Sequence, residues 1–193
     1  MPIEKLRWMV LASLMAALTA VGAYIYVPIG PVPIVLSTLF IFLSGLLLGS
    51  RWGAISICLY LFVGAIGFPV FSGGRGGIAH FYGPTGGYLL GYLLAAWLIG
   101  LISDRSRGLL FWQILAVITG SLVIYGLGVP WLKMVAQMSW SKALLVGMVP
   151  FLVGDGIKAS VAVMLARAVR PILYRQIQPT SAIPRPKEKG IDG

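Results

Sequence analysis

Charged residues are scarce in this chain. Lys, Arg, Asp and Glu make up 10% of its 193 residues, whereas a soluble globular domain carries about a quarter. Hydrophobic residues make up 59%, and they stand in runs long enough to cross a bilayer. The composition excludes an ordinary soluble domain. It predicts an all-α integral membrane protein with several passes through the cell membrane.

Cysteine, histidine and acidic residues are also nearly absent. Cys58 is the single cysteine, which excludes an internal disulfide, and His80 with the few scattered acids gives no metal-ligand spacing. No GxxxxGK[ST] motif occurs, so the chain is not expected to hydrolyse ATP by itself. A nucleophilic triad of Ser72, His80 and Asp155 is an alternative, but such combinations arise by chance. We therefore expect no enzyme activity, no cofactor and no metal.

The hydrophobic runs predict a compact bundle of six transmembrane helices, separated by prolines, glycines and short polar segments. The predicted spans are residues 8–27, 34–49, 53–68, 86–102, 109–129 and 150–169. A tight turn at 49–52 makes the second and third spans antiparallel, and both are short for a hydrocarbon core of about 30 Å. Interrupted short spans often mark a binding site. Residues 1–178 are predicted to form one domain, and 179–193 a basic, disordered tail.

Residues 130–148 are expected to contain a short helix at the membrane surface. Ser139 or Ser141 can cap it, and Gly147 can end it. Pro150 suits the first turn of the last span.

Basic residues are distributed unevenly along the chain, whose net charge is +10. With the amino terminus in the cytoplasm, the outside segments contain only Arg75, Lys133 and Lys142. The inside segments then contain Lys5, Arg7, Arg51, Arg105, Arg107, Arg167, Arg170, Arg175, Arg185, Lys187 and Lys189. The positive-inside rule predicts that both termini are cytoplasmic. Since the orientation of a membrane protein accounts for the positive net charge, that charge does not indicate a nucleic-acid partner, and none is expected.

Residues 69–88 form the longest break between hydrophobic runs, and they lie outside in this topology. The stretch is rich in glycine, which allows sharp turns and close approach of a ligand to the backbone. It is predicted to be the lid and part of the wall of a ligand site. Its candidate contacts are Phe71, Gly73, Gly74, Arg75, His80 and Tyr88.

Asp155 and Lys158 are the ionisable residues deepest within a predicted span. A charge there is costly and is a functional hypothesis by default; the i, i+3 spacing puts the two on one helical face. A structural ion pair is the alternative. Asp155 offers an acceptor for N–H donors, and Lys158 and Arg75 offer positive charge for a carboxylate. The pattern predicts a small, mostly apolar ligand with a urea-like end and an acidic end, between walls of Phe71, Tyr88, Trp131 and Phe151.

Small residues line one face of the first span. Ala12, Ala16 and Ala20 recur every four positions, which allows another helix to come close. The partner is either another helix of this chain or a separate subunit.

Several motifs together resemble the BioY family, the substrate-binding S components of energy-coupling-factor (ECF) biotin transporters. The resemblance extends over residues 8–168. It is carried by GPVPI at 30–34, GLLLGSRWGA at 45–54, GAIGFPVF at 64–71, GPTGGY at 83–88 and PFLVGDGIK at 150–158.

The resemblance implies a membrane protein that binds biotin from outside and works with a coupling subunit and two ATPases. It assigns substrate contacts to Asp155, Lys158 and Tyr88 and to the glycine-rich segment 73–77. Ser37 stands where the family usually has glutamine, and Thr38 keeps a polar atom nearby. The resemblance also favours the alanine face of the first span as the docking surface for the coupling subunit. An S component for another vitamin and a permease that works without ATPases remain alternatives.

Overall fold

The computed structural model describes residues 3–105 and 109–177. In this part the chain forms seven helices and two short antiparallel strands: α1 (Ile3–Tyr24), β1 (Tyr26–Val27), β2 (Ile34–Val35), α2 (Ser37–Ala65), α3 (Ala79–Tyr82), α4 (Gly86–Arg105), α5 (Leu110–Val135), α6 (Trp140–Gly147) and α7 (Val149–Ile177). The predicted tail 179–193 and Arg107 lie outside the described residues.

Five helical segments are long and apolar enough to span a membrane. They are Ile3–Tyr24, Ser37–Ala65, Gly86–Arg105, Leu110–Val135 and Trp140–Arg175. The all-helical membrane architecture predicted from composition is therefore confirmed.

Helix α2 is folded back on itself at Gly49. This residue has φ 76° and ψ −175°, a backbone conformation that favours glycine. A methyl group placed on Gly53 would lie 2.8 Å from the carbonyl oxygen of Ser44, although nine residues of straight helix span about 13 Å. Residues 37–48 and 50–65 are therefore the two legs of a hairpin, as predicted. They measure about 18 and 24 Å at 1.5 Å per residue.

The start of the chain differs from the prediction. Helix α1 ends at Tyr24, and the residues expected to finish the first span and begin the second instead pair as strands, Tyr26 with Val35 and Val27 with Ile34. The backbone N–H of Leu36 donates to the carbonyl of Ile25 at 3.0 Å. The prolines between the two strands prevent a helix from forming there, and the chain turns back on itself. We call residues 26–35 the lid; residues 69–88, for which the sequence predicted that role, are called the glycine-rich stretch.

Helix α5 continues past Pro130, where the prediction ended it. The next residue explains why: the indole Nε1 of Trp131 donates to the carbonyl of Gly83 at 2.9 Å. A methyl group on Gly87 would overlap the Trp131 side chain. Packing of α5 on the start of α4 therefore outweighs the backbone hydrogen bond that the proline removes.

Helix α7 also continues past a proline, Pro171, to Ile177 rather than ending near residue 169. Its last turns are held by the bundle. The guanidinium of Arg170 donates to Ser103 Oγ at 2.8 Å, and the rings of Tyr174 and Trp8 meet edge to face with centroids 5.6 Å apart.

The α2 turn is joined to the same end of the bundle. Ser50 donates to Asp104 Oδ2 through its backbone N–H and its hydroxyl, both at 2.9 Å. The start of α1, the α2 turn and the ends of α4 and α7 therefore lie together, which groups Arg7, Arg51 and Arg170 at one end of the molecule.

A short helix, α6, lies between the last two long helices, as predicted; its position at the membrane surface stays a prediction. Ser139 is its N-cap, and the Ser139 hydroxyl accepts from the backbone N–H of Lys142 at 3.4 Å. Ser141 lies within the helix. Gly147 ends α6, and Pro150 falls in the first turn of α7, where its missing N–H costs nothing.

The alanine face of α1 points into the bundle. Ala12 and Ala16 are buried in the core, and Ala20 packs against it. Helix α1 packs mainly on α2. In this structure the chain's own helices cover the face, and docking of a coupling subunit on it stays a prediction.

Candidate functional site

A buried polar cluster lies where α7 meets the start of α2. Lys158 Nζ is 2.5 Å from Asp155 Oδ1 and donates to Thr38 Oγ1 at 2.7 Å and to the carbonyl of Val35 at 2.9 Å. Asp155 and Lys158 are each 8% exposed. The structure thus brings together three of the predicted site residues. It also joins them to the lid, since Val35 is the lid's last residue.

Tyr125 completes this cluster and was not predicted. Its hydroxyl donates to Asp155 Oδ2, while Oδ1 faces Lys158. An ionised carboxylate has about four lone-pair positions and can accept further N–H donors beyond these two. A tyrosine within an apolar run is typical of core packing, and nothing in the spacing along α5 indicates that it faces α7.

An aromatic cluster stands on the outer side of the polar groups. Phe71 is 1% exposed. It meets Tyr60 edge to face at 5.6 Å and stacks on His80 at 5.3 Å between ring centroids. A methyl group on Gly64 would overlap the Phe71 ring, so the bare backbone at Gly64 is what admits the phenylalanine.

Two further predicted residues are buried between these clusters. Tyr88, 4% exposed, donates from its hydroxyl to the carbonyl of Gly147 at 2.7 Å. Ser37, 1% exposed, begins α2 beside Thr38. Tyr88 thereby links α4 to the α6–α7 junction and fixes one wall of the site.

Three cavities follow one another from this polar cluster to the surface. The inner cavity, about 20 Å³, is lined by Thr38, Tyr88, Tyr92, Tyr125, Asp155 and Lys158, among others. The middle cavity, about 30 Å³, shares Tyr88 and Tyr92 with the inner one and adds Ser37, Tyr60, Phe71 and His80. The outer cavity is about 340 Å³ and shares Ser72, His80 and Thr85 with the middle one. The site is therefore a column that opens on the side of the glycine-rich stretch.

The outer cavity collects the predicted residues of the glycine-rich stretch. Gly73, Arg75 and His80 line it, and the Arg75 side chain is exposed. Gly74 and Trp131 do not line any of these three cavities. The predicted wall at Trp131 is wrong, because its indole is used to hold the turn at Gly83.

The lid and the glycine-rich stretch touch at the mouth of the column. Tyr24, just before the lid, donates from its hydroxyl to the carbonyl of Pro69. A methyl group on Gly73 would lie 3.2 Å from the hydroxyl of Tyr26. Gly73 has φ 73°, which favours glycine there for a second reason.

His80 is held in its neutral form. Partial burial lowers the pKa of His80 below its ordinary value, and the positive charge of Arg75 lowers it further. Its stacking on Phe71 is thus the contact of an uncharged ring at neutral pH. Among residues 3–105 and 109–177, no group of three or more His, Cys, Asp or Glu side chains is placed to hold a metal ion.

Known proteins share this sequence and fold. The model of the BioY family matches residues 1–175. A probable biotin transporter BioY of Pyrococcus horikoshii is 42% identical over 166 residues, which is 86% of this chain and 98% of the relative. The biotin transporter BioY of Thermotoga maritima is 38% identical over 167 residues, again 86% and 98%.

A solved structure is also similar to this chain. It is a crystal structure of the S-component for biotin from an ECF-type ABC transporter, with a TM-score of 0.83 and 30% identity over 89% of this chain and 94% of that one. Family model, relatives and fold agree over nearly the whole described length. The chain belongs to the BioY family.

Proposed function

We propose that this chain is the membrane S component of an ECF-type transporter, that it binds biotin with high affinity and that it takes biotin into the cell. The observation that carries the proposal is the buried carboxylate of Asp155 at the bottom of an aromatic column, held by Lys158 and Tyr125. The names of its relatives support the same ligand.

The chemistry of the column matches the two ends of biotin. The ureido ring carries two N–H donors, which Asp155 can accept, and its carbonyl can accept from Lys158. The thiophane ring and the valeryl chain are apolar and fit between Tyr60, Phe71 and Tyr88. This orientation leaves the carboxylate near the outer cavity, where water and Arg75 remain available, and avoids the cost of burying a second negative charge beside Asp155.

Biotin enters the site when the lid opens. Small-molecule sites usually measure about 300–1,000 Å³, whereas the inner and middle cavities are about 20 and 30 Å³. Both are lined by Val32, Pro33 and Val35 of the lid. Outward movement of the lid enlarges both cavities at once, and return of Val35 to Lys158 closes the site over the ligand.

With six membrane spans, the mouth of the column faces the outside of the cell. The two legs of α2 count as two crossings, and α6 lies at the membrane surface. The end of the molecule that carries Arg7, Arg51 and Arg170 faces the cytoplasm by the positive-inside rule, and both termini are there. A coupling subunit and ATPases supply the energy for uptake.

Isothermal titration of the purified full chain tests the ligand. We expect saturable, one-to-one binding of biotin at submicromolar concentration, with no competition from riboflavin, thiamine or folate. Absence of binding at micromolar biotin, or tighter binding of another vitamin, would overturn the proposal. Biotin uptake measured in cells with and without a coupling module then separates an S component from a solitary permease.

A further inference from the structure

The outer cavity is larger than the carboxyl end of biotin requires. It is about 340 Å³, more than ten times the volume of either cavity beneath it. It lies between the lid, the glycine-rich stretch and α3, and it joins the middle cavity at Pro33, Ser72, His80 and Thr85.

The length of the column determines which part of a ligand reaches this junction. The inner cavity extends down to Tyr92 on α4, and the outer cavity begins at Thr85, directly before α4. Seven residues at 1.5 Å each separate these levels by about 10 Å. With carbon–carbon bonds of about 1.5 Å, an extended biotin also measures about 10 Å from its ureido oxygen to its carboxylate. The carboxyl carbon therefore lies at the level of Thr85.

A group attached to that carboxyl carbon projects into the outer cavity. The hydroxyls of Ser72 and Thr85 stand at the junction, where they can donate to an amide carbonyl. Farther out, Arg75 is exposed and lines the same cavity. A lysine joined through its ε-amine would bring its own carboxylate toward this guanidinium and replace the charge that amide formation removes.

We propose that the protein also takes biotin amides of small amines, with biotin joined to the ε-amine of lysine as the representative ligand. The inner and middle cavities hold the biotin part, and the outer cavity holds the amine part. This inference rests on the proposed function, because the proposed function puts the ureido end of biotin beside Asp155.

Competition titration with the full chain tests the inference. We expect biotinyl-lysine to bind within about tenfold of biotin, a difference of at most about 1.4 kcal/mol. An analogue methylated on both ureido nitrogens should fail to compete. Biotinyl-lysine more than about a hundredfold weaker than biotin would overturn the inference while leaving the proposed function intact. Failure of biotin itself to bind would overturn both.

A pair of substitutions locates the amine part. Ala79 lines the outer cavity, whereas its exposed neighbour Ile78 lines none of the three. Ala79→Trp should weaken biotinyl-lysine at least about tenfold and leave biotin unchanged, and Ile78→Trp should change neither. Equal weakening of both ligands by Ala79→Trp would place biotin itself in the outer cavity and overturn the inference. The comparison on the unsubstituted chain decides the question without either variant.

Discussion

Replacing Asp155 by asparagine is the most direct test of the site. The substitution keeps the shape of the side chain but removes its charge. Asp155 faces Lys158 at 2.5 Å through Oδ1 and accepts from Tyr125 through Oδ2. Hydrogen bonds to a charged acceptor contribute about 1.5–3 kcal/mol each. Loss of about 2–3 kcal/mol between the carboxylate and the ureido donors predicts biotin binding weaker by about 30- to 150-fold.

The same substitution also affects folding, and the two effects must be separated. Removing one partner of a buried ion pair costs about 3–5 kcal/mol, because the other charge stays buried. Lys158 keeps Thr38 and the carbonyl of Val35 as partners, so we expect the lower end of this range. The double variant Asp155→Asn with Lys158→Gln removes both charges and should recover most of the lost thermal stability.

Titration calorimetry and thermal unfolding on all three proteins distinguish the roles. If Asp155 accepts from the ligand, the double variant regains stability but still binds biotin weakly. If the pair only holds α7 in place, the double variant regains binding as well, and that result would refute our reasoning. Asp104→Asn is the matched control: Asp104 lies at the opposite end of the molecule, beside Ser50, and its loss should leave biotin affinity unchanged.

Three further substitutions test the surroundings of the site. Tyr125→Phe removes the hydroxyl that donates to Asp155 and should weaken biotin binding about tenfold, about 1.4 kcal/mol by titration, and lower the unfolding free energy by about 1.5–3 kcal/mol. Gly64→Ala overlaps Phe71 and should lower the unfolding free energy by about 1–3 kcal/mol in thermal melts; an unchanged melt would contradict the packing described. Burial lowers the pKa of His80, so the unfolded chain binds a proton at higher pH than the folded one. Stability should therefore fall as pH decreases below about 6.5, and His80→Gln should reduce that fall in melts at pH 5 and pH 7.5.

The sequence predicts the membrane fold well because hydrocarbon imposes strong patterns. Long apolar runs, the asymmetry of basic residues and the i, i+3 pair at Asp155 and Lys158 are each readable from one chain, since the bilayer penalises every exception. The turn at Gly49 and the cap at Ser139 are readable for a local reason: a few backbone groups must turn or be satisfied there.

Contacts between distant segments are not readable in this way. Tyr125 reaches Asp155 only because α5 and α7 pack side by side, and no spacing within α5 records that neighbour. Pro130 was predicted to end a helix, but α5 continues past it. The continuation is stabilised by the indole of Trp131, which donates to the carbonyl of Gly83, 48 residues away in the sequence. The alanine face of α1 gave a small-residue pattern that fits any close helix, and packing on α2 decides which one.

The hydrogen bonds between the lid and the deep site have a consequence for rates. The carbonyl of Val35 accepts from Lys158 Nζ at 2.9 Å and from the Thr38 hydroxyl at 3.4 Å. The cavities under the lid are too small to admit biotin unless the lid moves. Association then waits for the lid to open, so the association rate constant should fall below the roughly 10⁵–10⁷ M⁻¹s⁻¹ of open binding surfaces. Dissociation requires the same opening with the ligand in place. Biotin should therefore stay bound long after free biotin outside the cell has been removed. This leaves time for the liganded protein to associate with its coupling subunit and ATPases.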